Sequence, residues 1–87
     1  MFGVGQVLIT RPALAFCERK EVDALDFLQR HVLGDWGDLC AQDKAANRDA
    51  VKCGGRILSA YQVHGTKLYV ITEADRSYTT IMLASDY

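Results

Sequence analysis

The sequence predicts a single α+β domain over residues 1–87, with a three- or four-stranded, mainly antiparallel sheet and two longer helices plus a short N-terminal helix packed on one face. Three observations predict it. Residues 56–63 and 67–72 are rich in β-branched and aromatic side chains and are separated by His64-Gly65-Thr66, which is a hairpin signal. A helical apolar rhythm runs through residues 22–33, and a third β-rich run, Tyr78 to Leu83, follows a short charged loop.

Gly65 takes a positive φ without steric cost, so a two-residue His64-Gly65 turn is expected. It sets Val63 opposite Thr66. Leu58 then pairs with Ile71 and Ala60 with Tyr69 on one face, and Ser59 with Val70 and Tyr61 with Leu68 on the other. Pairing Thr72 with Tyr78 adds Ile81 and Leu83 to the first face, and Tyr78, Thr80 and Met82 to the second. The first face, with Leu58, Tyr69, Ile71, Ile81 and Leu83, is expected beneath the helices. The second, carrying Tyr61, Val63, Leu68, Val70, Tyr78 and Met82, is expected to be an interaction surface that meets a second copy of the chain or an unidentified protein partner, the alternative being that residues 1–19 fold across it and leave a monomer. Pairing through the edge of Tyr78 to Leu83 is the other route to a homodimer.

Upstream, Gln6-Val-Leu-Ile9 fits a strand at the sheet edge. Thr10 is placed to cap a short helix with Pro12 in its first turn. Val22, Leu25, Leu28 and Val32, widened by Phe27 and Leu33, give the next helix its apolar stripe, and Gly34 ends it. His31 falls on the border of that stripe, as a half-buried or solvent-touching residue. In Gly34-Asp-Trp-Gly-Asp38, Asp35 or Asp38 is expected to cap the following helix, and Trp36 to pin a structural corner with its indole N–H on a carbonyl. Leu39, Ala45, Ala46, Ala50 and Val51 give that helix a small-residue face before Gly54-Gly55. The loop of residues 73–77 is expected to be ordered, with Asp75 accepting backbone N–H bonds and Arg76 paired to Asp35 or Asp38. Its alternative is a recognition loop of Glu73, Asp75 and Arg76.

The apolar share of 49% and charged share of 24% are those of an ordinary globular domain. A net charge of −1 leaves no electrostatic footprint for general nucleic-acid binding. No stretch approaches the roughly 20 apolar residues of a membrane span. Three cysteines without C-x-x-C spacing indicate neither a zinc site nor a disulfide framework. No metal or cofactor is expected, and a cytoplasmic location is the simplest.

Gly34-Asp-Trp-Gly-Asp-Leu-Cys40, Asp43 and Asn47, then Gly54-Gly-Arg-Ile-Leu-Ser-Ala-Tyr61, then Ile71-Thr-Glu-Ala-Asp-Arg-Ser77 with Thr79-Thr80, resemble a small bacterial family carried on plasmids and other mobile elements. The likeness covers about residues 7–87. It implies a mobile-element origin, such as a plasmid gene or an integron cassette, and carries over no catalytic residue.

Three functions compete. The first is a non-catalytic protein-binding or regulatory module. A small ribonuclease toxin is the second, on the analogy of its element order with RelE/ParE-type toxins, with Arg56, Lys67, Arg76 and Tyr61 or His64 as candidate groups. The third is a small-molecule or metal enzyme built on Asp35, Asp38, Glu73 and Asp75.

Overall fold

The computed structural model describes residues 2–87. The elements are β1 (Gln6–Ile9), α1 (Arg11–Arg19), α2 (Ala24–Val32), α3 (Ala41–Cys53), β2 (Ile57–Val63), β3 (Thr66–Thr72) and β4 (Tyr78–Leu83), followed by a 3-10 turn over Ala84–Asp86. They build an α+β domain on a mixed four-stranded sheet of order β1-β4-β3-β2, in which only β1 and β4 run parallel.

The β2–β3 hairpin has the expected register, from Val63 opposite Thr66 to Ile57 opposite Thr72. Its turn has φ of 48° at His64 and 79° at Gly65, the pair of positive values that lets a two-residue turn follow the strand twist. Thr10 caps α1 by accepting from the Ala13 N–H, and Pro12 lies in the first turn, where no N–H is needed. Asp23 caps α2 through the Leu25 N–H. Gly54, at φ 79°, ends α3.

The next junction slips by one residue. Thr72 pairs with Thr79, not Tyr78, because the loop closes on a Glu73 N–H to Tyr78 carbonyl bond and turns over residues 74–77 with Arg76 at φ 62°. A one-residue slip moves every side chain of β4 to the other face. Ile81 and Leu83 therefore join Tyr61, Val63, Leu68 and Val70.

That shared face is the one the helices cover, which reverses the expectation. Ala13, Phe16 and Cys17 of α1 form one buried cluster with Tyr61, Val63, Leu68, Val70 and Ile81, and Phe27 and Leu28 of α2 pack against it. A second cluster joins Trp36, Ala50 of α3 and Ile57, with Phe2, Leu39 and Val51 around it. The expected interaction surface is thus largely core: Tyr61, Val63, Leu68 and Val70 are buried, and only Tyr78 and Met82 lie on the opposite face. On that face the chain returns after β4, and Tyr87 meets Tyr69 edge to face. β4 is flanked by β1 and β3 and offers no edge for pairing.

Ser59 and Thr72 put polar groups on this covered face, and His31 explains how they are buried there. His31 is fully buried, not a border residue, and its ring lies between the two hydroxyls, 2.5 Å from Ser59 Oγ and 2.9 Å from Thr72 Oγ1. Thr72 bonds Thr79, which donates to the Val4 carbonyl. Because a carbonyl only accepts, the proton order follows along the chain: Thr72 donates to Thr79, His31 donates from Nε2 to Thr72, and Ser59 donates to Nδ1. The sheet's polar positions are paired internally, as buried polar groups must be.

The outer edge of β2 is closed in two ways. Asn47 of α3 donates to the Leu58 carbonyl and accepts its N–H. Two residues on, Ala60 donates to the Trp36 carbonyl and accepts from Asp38 N–H, in a short bridge to Gly37. The opposite edge, β1, is the one that carries a site.

Candidate docking groove at the β1 edge

β1 is short and apolar, Gln-Val-Leu-Ile, and it is mostly exposed. Gln6 and Thr10 donate to the Ser77 and Ile81 carbonyls, so the backbone groups of Gln6, Leu8 and Thr10 face β4. By alternation, the N–H and C=O of Val7 and Ile9 point outward.

Those same two residues carry their side chains on the helix side, where Ile9 pairs with Ile81. There they form one wall of a groove of about 540 Å³. α1 turns Ala13, Phe16 and Cys17 inward and leaves Leu14 and Glu18 on the groove side. The chain then reverses at Glu21, φ 57°, with the Val22 N–H on the Cys17 carbonyl. That reversal brings Val22, Asp23 and Leu25 across as the second wall.

The groove combines two properties. Its apolar surface is accessible, since Val7, Leu14 and Leu25 are three of the seven large apolar residues exposed among the described residues. Its charged lining is of one sign, Glu18, Glu21 and Asp23, with no cation among the lining residues. Cys17, on the floor, is no activated nucleophile: burial, and then the negative charge of Asp23, raise its pKa above that of an ordinary thiol.

The one constellation that resembles catalytic machinery lies elsewhere and is closed. Ser59 and His31 are within hydrogen-bond reach, yet both are fully buried, as are Thr72 and Thr79. Burial pushes the His31 pKa down to about 4. Neither side chain presents any surface, and the imidazole is a weak base.

The other residues singled out from the sequence are scattered and engaged. Asp35 forms an ion pair with Arg30 at 2.7 Å, which holds its carboxyl below the usual range, and its main-chain carbonyl accepts from the Tyr61 hydroxyl. Burial raises the Tyr61 pKa to about 12. Neither Asp35 nor Asp38 caps α3; the cap position is Cys40, with no side-chain bond. Trp36 does pin the corner, only 8% exposed, but its indole N–H finds no acceptor.

Asp75 accepts from the Ser77 N–H and hydroxyl, ordering the loop as expected. Arg76 takes no carboxylate. Its guanidinium donates to the carbonyls of Ala50, Gly55, Glu73 and Ala74. Glu73 sits 3.6 Å from Arg56, which also donates to the Tyr87 hydroxyl. His64 and Lys67 are exposed on the β2–β3 hairpin. Among the described residues, no three His, Cys, Asp or Glu side chains converge to hold a metal ion. Among the same residues, no helix is long and apolar enough to cross a membrane.

The groove residues were missed in the sequence because β1 read only as an edge strand and Leu25 as core. The available signal was Leu14, which lies off the Ala13, Phe16 and Cys17 stripe. No protein-family model, curated protein or solved structure matches the chain.

Proposed function

We propose that this chain is a non-catalytic protein-binding module, of mobile-element origin, that takes up an extended segment of a protein partner as a strand added to β1. The observation that carries the reading is the coincidence of an open strand edge with an apolar groove beside it. The outward N–H and C=O of Val7 and Ile9 supply main-chain pairing, and Val7, Ile9, Leu14, Val22 and Leu25 receive alternate side chains. Glu18, Glu21 and Asp23 select the partner's charge. The segment is therefore one whose every second residue, on the groove side, is β-branched and apolar at the centre and lysine or arginine at the ends, where it reaches the acidic rim.

A second copy fits this edge less well. Two-fold pairing of β1 strands would place two acidic grooves on the same side of one continuous sheet, and like charges in close juxtaposition disfavour association. The expectation of a homodimer through Tyr61 and its neighbours has lost its basis, because α1 and α2 cover them.

Val7→Pro provides the test, since it removes an N–H that the native sheet does not use and an edge strand tolerates proline there. The probe is a synthetic nine-residue peptide whose alternate positions read lysine, valine, valine, valine, lysine with threonine between them, compared with its counterpart carrying glutamate at the two ends. The lysine peptide is expected to bind with Kd on the order of 10–100 μM, and Val7→Pro to weaken it about tenfold while the thermal melt is kept. Glu18→Lys with Glu21→Lys reverses the preference. Equal binding of both peptides, or sedimentation as a dimer that Val7→Pro dissociates, overturns this assignment of the partner.

A further inference from the structure

A second hollow lies on the far side of α2. Its walls are Phe2, Val32, Trp36 and Val51, and its rim carries Arg48 and Lys52, around a volume of about 220 Å³. We infer that this hollow is a small-molecule site for a compact apolar anion: a ring or short hydrocarbon body bearing one carboxylate.

Size sets the first limit. The volume lies below the roughly 300–1,000 Å³ occupied by drug-sized ligands, so the body is a single small ring. The walls are aromatic and aliphatic, and Phe2, Val32 and Val51 remain partly open rather than sealed in the core.

Charge sets the second. Arg48 and Lys52 are one helical turn apart on α3 and both are exposed. Neither is in an ion pair among the described residues, where the two pairs are Arg30 with Asp35 and Arg56 with Glu73. They are thus free to meet an anion at the rim.

The end of a helix ordinarily repels an anion, because its last carbonyls carry a partial negative charge. Here Arg76 covers that end by donating to the Ala50 and Gly55 carbonyls. The same guanidinium lies 5.7 Å from the Phe2 ring centroid, behind one wall of the hollow. Three cations thus lie at or near this hollow, Arg48 and Lys52 on the rim and Arg76 beside Phe2, in a chain whose net charge is −1.

Trp36 is the sole tryptophan, so its emission reports this site directly. The probe is cyclohexanecarboxylate, which does not absorb in the tryptophan band, with cyclohexylmethanol as the neutral isostere. The carboxylate is expected to change Trp36 emission saturably with Kd on the order of 1 mM or below, and the alcohol to bind about tenfold more weakly. Arg48→Gln with Lys52→Gln removes both rim charges from exposed side chains without setting a carboxylate against the end of α3; it is expected to weaken carboxylate binding about tenfold or more. An alcohol that binds as well as the carboxylate, a double variant that binds it unchanged, or emission that does not saturate would each overturn the assignment.

Discussion

Ser59 and Thr72, on neighbouring strands, hold the imidazole of His31 between their hydroxyls, so that the only buried histidine is satisfied as a neutral ring with its proton on Nε2. Thr79 and the Val4 carbonyl complete the chain of bonds and tie α2, three strands and the N-terminal segment together. A network of this kind stabilises only while each member keeps its partner.

Acid should therefore undo it. The folded pKa of His31 is about 4, below the roughly 6.5 of an unfolded histidine, so between these values the unfolded chain binds the extra proton. The stability held above about pH 6.5 falls as pH drops through that window, and the slope ends near the folded pKa. Integrated to about pH 4.5, the loss from this group is about 2–3 kcal/mol. Urea unfolding at the two pH values checks it. In His31→Phe the step is absent, and the protein is already weaker at neutral pH by about 1–3 kcal/mol, because the Ser59 hydroxyl loses its acceptor.

Asn47 closes the β2 edge by matching both backbone groups of Leu58 at 2.7 and 3.1 Å. Asn47→Ala leaves that N–H and C=O partly buried without partners, at a cost of about 1–3 kcal/mol. Asn47→Asp is the sharper variant, because it sets a carboxylate oxygen against the Leu58 carbonyl. Amide exchange at Leu58 is expected to accelerate in both variants while exchange at Leu68, in the middle of the sheet, changes only with global stability.

Arg76 joins the loop of residues 73–77 to the end of α3 through a planar fork that reaches four carbonyls. Lysine keeps the charge and loses the fork. Arg76→Lys is expected to destabilise by about 1–3 kcal/mol despite being conservative in charge. Salt will tell the two contributions apart: an electrostatic loss shrinks at high ionic strength, and a geometric one does not.

What was legible in the sequence was local. The β2–β3 register followed from the spacing around Gly65, and the cap at Thr10 from a short polar side chain ahead of a helical run. What was not legible was decided by partners distant in the chain. Ser59 and Thr72 look like solvent-facing residues until His31, 28 and 41 positions away, is known to bury with them. The β4 register depended on Arg76 adopting a positive φ, which few non-glycine residues do. The docking groove was hidden for a related reason. Leu25 has the spacing of a core residue, yet it is 59% exposed because the sharp reversal at Glu21 swings it toward β1. Alternation and helical periodicity report which residues share a face, and they are silent on which face a distant element will cover.

Two glycines in the corner after α2 separate backbone strain from steric conflict. Gly34 and Gly37 both have positive φ, 87° and 75°. A Cβ on Gly34 would meet nothing within 4 Å, whereas on Gly37 it would lie 2.0 Å from the Ala60 carbonyl oxygen and 2.7 Å from Tyr61 Cδ1. Gly34→Ala is thus expected to cost only the conformational penalty, about 1–2 kcal/mol. Gly37→Ala cannot keep the bridge to β2. The loop must move off Ala60, breaking the bonds from Ala60 N–H to Trp36 and from Asp38 N–H to Ala60, and releasing the Tyr61 hydroxyl from the Asp35 carbonyl. Its cost should exceed that of Gly34→Ala by about 2–4 kcal/mol, with Trp36 becoming more exposed. Thermal unfolding with Trp36 emission as the probe distinguishes the two variants. Equal destabilisation by both would show that the close approach of Gly37 to Ala60 does not hold the corner in place.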